Sequence, residues 1–239
     1  MSTSKRERET ARRRHEKWLA RQEELRAQRR RRRVVAGAVA GTLVLVGAVA
    51  LAVSMSRSGT QDTAERTVPD PSVAQGRTWT STLDTSVGTI GLELDGAAAP
   101  QAVASFVTLA QEGYFDDTTC HRLTVEGIFV LQCGDPTATG QGGPGYSFGP
   151  VENAPADDVY PAGTLAMARL GGDGESMGSQ FFLVYADSTI PADAAGGYTV
   201  FGQITDGMDV LQAVADAGID PAGAPAPATE VIIKGVETQ

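Results

Sequence analysis

Arg122 stands beside His121 and between Cys120 and Cys133 in the run "CHRLTVEGIFVLQCGD", residues 120–135. From Thr78 to Gln239 the only other basic residues are Arg169 and Lys234, so a cation here is an exception in an acidic stretch. A guanidinium stays charged at every relevant pH and presents several N–H donors in one rigid plane. It suits chemistry that needs a fixed donor and no proton transfer.

Other patterns that resemble catalytic motifs fail on context. "GESMG", Gly174–Gly178, has the spacing of a hydrolase elbow, but that fold needs a helix after the serine and a histidine later in the chain. Here a strand pattern follows, and His121, the sole histidine beyond the N-terminal segment, lies upstream. "GQGGPG", Gly140–Gly145, matches a dinucleotide fingerprint only in spacing, since it contains Pro144 and opens no helix. One histidine, two cysteines and scattered carboxylates show no metal-ligand spacing, so neither a metal nor a cofactor is expected. Asp157 and Asp158 read as a solvated face.

The elements that must position Arg122 are mostly strands. "TWTSTL" and "TIGLELD" alternate apolar with polar or small residues around "DTSVG", a hairpin pattern. "APQAVASFVTLAQEG" places Val103, Phe106, Val107 and Ala110 at helical spacing, opens with Pro100 and stops at Gly113. "HRLTV" and "IFVLQ" flank a turn at Glu126-Gly127, which sets Cys120 opposite Cys133 and Arg122 opposite Leu131. "GTLAMARL", "QFFLVYA", "YTVFGQI" and "EVIIKGVE" supply further strands, and "GMDVLQAVADAG" a second helix. Many short strands with two helices point to a closed or sandwiched β architecture. In an exported domain the cysteine pair allows a cross-strand disulfide; two small buried residues are the plain alternative.

Export follows from the charge distribution. The net charge of -9 combines an N-terminal segment, residues 1–33, with 14 Lys+Arg against 5 Asp+Glu, and a remainder with 6 against 24. Between them Val34–Val53 has Thr42 as its only polar side chain, and 20 residues of helix span roughly 30 Å, a bilayer core. With Arg29–Arg33 abutting it, this segment reads as a single plasma-membrane span with a cytoplasmic N-terminus. A cleavable signal peptide is the competing reading, although its apolar core is expected to be only about 7 to 15 residues. The basic segment suits anionic headgroups better than nucleic acid. Residues 54–77, polar and containing "PDP", read as a flexible linker, and residues 78–239 as the folded domain.

The ordered set "HRL", "FVLQCGDP", "GGPGY", "GTLAMA", "GSQFFLVY" and "YTVFGQI" resembles the cyclophilin family of peptidyl-prolyl cis-trans isomerases over roughly Thr80 to Val236. The resemblance implies an eight-stranded antiparallel β-barrel closed by two helices, and action on proline-containing polypeptides by a monomeric domain. It implies Arg122 as the catalytic residue, Phe129, Val130, Phe182 and Ile190 as an apolar proline socket, and Gln132 and Gln180 as groups that hold the substrate backbone and orient the arginine. It places Ala168 in the adjoining groove, and His121 reads as a structural or groove-rim residue with no role as a base.

Three departures stand out. Arg169 replaces a frequent Asn and is expected to add charge to the groove. Thr189 stands where cyclosporin-sensitive members have Trp, so drug affinity does not follow from the resemblance. Tyr198 replaces a common His, and its ring can still cap the socket. The first two keep open a second function class, a non-catalytic module that binds proline-containing segments at the cell surface.

Overall fold

The structure, a computed structural model, describes residues 66–239. The basic segment 1–33, the apolar segment 34–53 and residues 54–65 of the expected linker lie outside the described residues. No helix among the described residues is long and apolar enough to cross a membrane.

Two eight-residue strands open the domain, β1 (Thr78–Thr85) and β2 (Gly88–Asp95), antiparallel and paired along their whole length. Their alternation puts Trp79, Leu83, Ile90, Leu92 and Leu94 on the buried face. Helix α1 (Pro100–Gln111) follows. Ala99 at its N-cap has no side-chain acceptor to offer, and the Glu152 carboxylate does that work by accepting from the N–H groups of Gln101 and Ala102, each at 3.0 Å. A carboxylate there also meets the positive end of the helix dipole. Phe106 on α1 lies within 5.2–5.4 Å, centroid to centroid, of Phe115, Phe181 and Phe201, which ties the helix to the centre of the core.

The remaining strands are β3 (Thr118–Thr119), β4 (Arg122–Thr124), β5 (Val130–Cys133), β6 (Val159–Tyr160), β7 (Thr164–Met167), β8 (Phe181–Val184), β9 (Ser188–Thr189), β10 (Val200–Asp206) and β11 (Ile232–Thr238); α2 (Met208–Ala217) follows β10. Nine of the eleven strands among the described residues form one antiparallel sheet in the order β3-β11-β1-β2-β10-β7-β8-β5-β4, and β6 pairs with β9 separately. The mainly β class with two helices agrees with the sequence reading, but the main sheet has nine strands where eight were expected. The two outermost, β3 and β4, are consecutive in the chain and separated only by Cys120 and His121. The sheet therefore curls until its ends meet in one stretch of backbone, which pairs first with β11 and then, through β4, with β5.

Two expectations need correction. The β4–β5 register pairs Arg122 with Gln132, one residue away from the expected Leu131. The reversal is centred on Gly127, at φ 75°, so the connection has an odd number of residues. Cys120 and Cys133 nevertheless form a disulfide, with Cys120 just ahead of β4. Residues 66–77 are also not free linker. Pro71–Ala74 forms a 3-10 turn capped by Asp70, the Ala74 carbonyl accepts from Trp79 Nε1 at 2.9 Å, and Arg66 pairs with Glu112 at 3.0 Å. Packing of these side chains onto α1 and β1 outweighs the turn-forming composition that suggested a spacer.

Candidate functional site

The strand pattern explains why a site forms on this sheet. On β5, Leu131 and Cys133 face the main core, so Val130 and Gln132 must point to the opposite face. Phe181 and Leu183 on β8 likewise face inward, leaving Phe182 and Val184 outward, and Ala166 on β7 joins them. This second face carries its own apolar cluster of Val130, Tyr160, Ala166, Phe182, Val184 and Ile190, all buried. The continuous apolar runs of β7 and β8 are therefore buried on both sides, one side by the core and the other by the site.

The ladders align a row across four strands: Arg122 faces Gln132, Gln132 faces Phe182, and Phe182 faces Ala166. Together with Ile128, Val130, Ala168, Arg169, Ile190 and Tyr198, Arg122, Gln132 and Phe182 line a cavity of about 100 Å³. A larger hollow of about 270 Å³ adjoins it and shares Gln132, Ala168 and Arg169, with Gln180 and the Gly140–Gly143 loop in its wall. Arg122 Nη1 donates to Gln132 Oε1 at 3.2 Å, Gln132 Nε2 donates to Gln180 Oε1 at 2.8 Å, and Gln180 Nε2 donates to the Gly142 carbonyl at 2.8 Å. Among the described residues no carboxylate pairs with Arg122. Its charge is thus held in place by a neutral relay and stays available at the cavity wall.

The relay ends on a loop organised by Asp135, whose buried carboxylate accepts from the N–H groups of Thr137, Thr139, Gly140 and Gly142 at 2.6–3.1 Å. Desolvation raises the Asp135 pKa, but the Thr137 hydroxyl and the N–H donors of Thr137, Gly140 and Gly142 outweigh it and bring the value down to about 2. A Cβ on Gly142 would run into this carboxylate, so the loop and the acid need glycine there.

Several residues occupy places that the sequence reading did not assign them. Phe129 does not line the cavity; it packs toward the main core, with its ring 5.8 Å from Tyr185. The alternation of β5 runs on into the residues just ahead of it: Ile128 shares the side of Val130 and Gln132, and Phe129 has the other. Ile128 takes the wall position. Of its two expected places His121 takes the structural one and not the groove rim: it is 8% exposed, neither ring nitrogen has a partner among the described residues, and it lies beside Gly140. Burial lowers its pKa, Asp135 opposes that and Arg122 adds to it. Arg169 adds no free charge to the groove. Its side chain is 1% exposed and makes a two-pronged ion pair with Asp193, both contacts at 2.9 Å. Thr189 is exposed and outside the cavity. Ile128, Asp135 and Gly142 were missed; strand alternation could have found the first, and the Asp-Pro-Thr turn signal the second.

The domain that carries this site has counterparts of known family. The model of the cyclophilin type peptidyl-prolyl cis-trans isomerases matches residues 80–238. The chain belongs to the cyclophilin family. Two relatives of this cyclophilin are each described as a probable peptidyl-prolyl cis-trans isomerase B. The one from Mycobacterium tuberculosis is 48% identical over 165 residues, covering 64% of this chain and 52% of the relative. The one from Mycobacterium leprae is 45% identical over 172 residues, covering 66% and 56%. The chain thus spans about half the length of these mycobacterial proteins. A crystal structure of a cyclophilin type isomerase from Cryptosporidium parvum superposes with a TM-score of 0.58 at 30% identity, covering 68% of this chain and 98% of that one.

Proposed function

We propose that this cyclophilin domain catalyses rotation about X-Pro peptide bonds in polypeptides. The observation that carries the reading is Arg122 on the wall of the cavity formed by Ile128, Val130, Phe182 and Ile190, with Gln132 bonded to the guanidinium. An apolar cavity of about 150 Å³ accepts a benzene ring, so one of about 100 Å³ is on the scale of a five-membered ring.

The chemistry follows from the amide. Resonance imposes a barrier of roughly 18–20 kcal/mol on rotation, and half-way round the nitrogen lone pair is no longer conjugated. It then becomes an acceptor, so a donor placed beside it favours the twisted state over either planar one. Arg122 supplies that donor, the apolar wall holds the ring, and Gln132 with Gln180 keeps the guanidinium from turning away. No proton is exchanged, which fits a buried His121 with no part in the reaction.

The wider setting is part of the proposal. An acidic domain behind a basic segment and a 20-residue apolar run supports a single-pass anchor at residues 34–53 and work on exported or envelope proteins. Carbonate extraction of membranes and protease accessibility of the domain in spheroplasts test this; a chain released by carbonate, or protected from protease, overturns it.

The activity is tested by the cis–trans exchange rate of an Ala-Pro peptide with the full chain and with Arg122→Ala. A fall of about a hundredfold is expected, the scale of losing one aimed donor. Unchanged exchange overturns the assigned role. Binding without exchange in the unaltered chain establishes the binding-module reading, whose motivation is weakened because the charge of Arg169 is consumed by Asp193.

A further inference from the structure

Arg169 has more bonds than a groove-lining side chain needs. Besides the two contacts with Asp193, its Nε donates to the Gly197 carbonyl at 3.0 Å, Nη2 to the Gly196 carbonyl at 2.6 Å, and Nη1 to its neighbour Leu170 at 3.0 Å. The Asp193 carboxylate accepts in turn from the N–H groups of Gly172 and Ala195, both at 2.8 Å. The pair and these donors hold the carboxyl of Asp193 well below the usual carboxylate range. One guanidinium thereby fixes the segment 193–197 at both ends, and the next residue is Tyr198.

Tyr198 forms part of the cavity wall. Its ring is held on two sides, with the Arg169 guanidinium 4.6 Å from the centroid and the Phe182 ring at 5.6 Å and 81°. Its backbone N–H donates to the Tyr160 hydroxyl at 2.7 Å. Without the clamp the segment keeps its internal turn, in which Asp193 and Gly196 exchange backbone hydrogen bonds at 3.1 and 3.0 Å, but it loses its tie to the backbone beyond β7, and the ring loses its cationic face. A lysine could carry the charge but could not grip a carboxylate and two carbonyls in one plane.

We propose that Arg169 is a positioning residue: its clamp on Asp193 sets the placement of Tyr198 and so the affinity of the cavity for the proline ring, while Arg122 alone governs the rotation step. This rests on the isomerase reading of the same cavity. A wall contacts the ring about equally in the planar and twisted states, so loosening it raises KM and leaves kcat in place.

The test measures exchange and binding of an Ala-Pro peptide by NMR, using the full chain and the variants Asp193→Asn, Tyr198→Ala and the double variant. Asp193→Asn is expected to raise KM about fivefold to tenfold with kcat within twofold, and the double variant to bind no worse than Tyr198→Ala alone, because the clamp acts through that ring. A cooperative urea transition checks that each variant is folded. Should Asp193→Asn fail that check, Arg169→Lys is expected to show the same rise. Unchanged KM in the folded clamp variant, or losses that multiply in the double variant, overturns the proposal. If the unaltered chain binds the peptide without accelerating exchange, the isomerase reading fails and the clamp is judged by the same ratios in peptide Kd.

Discussion

Gln132 sits directly across the β4–β5 ladder from Arg122, and its single carboxamide serves both neighbours, accepting from the guanidinium and donating to Gln180. Replacing it with alanine leaves Arg122 charged but free to swing. Gln132→Ala is expected to cut turnover about tenfold, the worth of one hydrogen bond of about 1.4 kcal/mol. Arg122→Lys should cut it further, since an ammonium cannot bond glutamine and substrate in one plane. Exchange rates of an Ala-Pro peptide measure both; a Gln132→Ala rate equal to that of the unaltered chain refutes the relay.

Opposite sides of the chain just ahead of β5 separate affinity from stability. Ile128→Ala is expected to weaken peptide binding several-fold with little change in unfolding, because Ile128 is a half-buried wall residue. Phe129→Ala should do the reverse, costing about 2 kcal/mol of stability as the contact with Tyr185 is lost. Urea unfolding together with peptide titration checks the pair.

The Cys120–Cys133 bridge begins two residues before Arg122 and ends directly after Gln132 in sequence, and both cysteines are buried, at 1% and 0% exposure. Removing it with Cys120→Ala and Cys133→Ala frees a short loop in the unfolded chain and should cost about 3 kcal/mol. Reductant without denaturant should leave the bridge intact in the folded domain. Mass spectrometry after alkylation, with and without urea, distinguishes the two conditions.

Acid should weaken the fold in two stages. Burial depresses the pKa of His121 below its ordinary 6.5, so the unfolded chain binds the proton more tightly and stability falls as pH drops below about 6.5. Above that pH His121 is neutral in both states and contributes no slope. Asp135, with its pKa lowered to about 2, contributes stability above pH 3.8 that is lost as pH falls toward 2, about 2 kcal/mol in all. Urea midpoints measured from pH 8 to 5 should slope downward, and His121→Leu should flatten that slope; an equal slope in the variant assigns it to other groups.

What could be read from the sequence were features decided by local pattern. The hairpin of β1 and β2 and helices α1 and α2 follow from alternation and from helical spacing bounded by Pro100, Gly113 and Gly218. The register of β4 and β5 did not, because a turn containing one glycine can centre on it or beside it, and only packing chooses. Phe129 looked like a socket residue by resemblance, yet the period of two along "IFVLQ" already opposes it to Val130. Arg169 was misread for a different reason. Its partner Asp193 is 24 residues away, and nothing local reveals that an acidic side chain will neutralise the groove's second cation. The two-residue strand β3 is too short to carry a periodic signal.

The run from Thr118 to Thr124 carries both terminal strands of the main sheet, and beyond β4 the Leu123 N–H is itself taken up by the Pro225 carbonyl at 2.7 Å. A domain with the proposed activity on extended peptide risks being recruited as a template by whatever it holds, through any bare rim of N–H and C=O groups. Here the first and last strands share one backbone that the Cys120–Cys133 disulfide ties to β5, so little rim remains to be copied, and a peptide is left to be gripped by side chains without being stitched on.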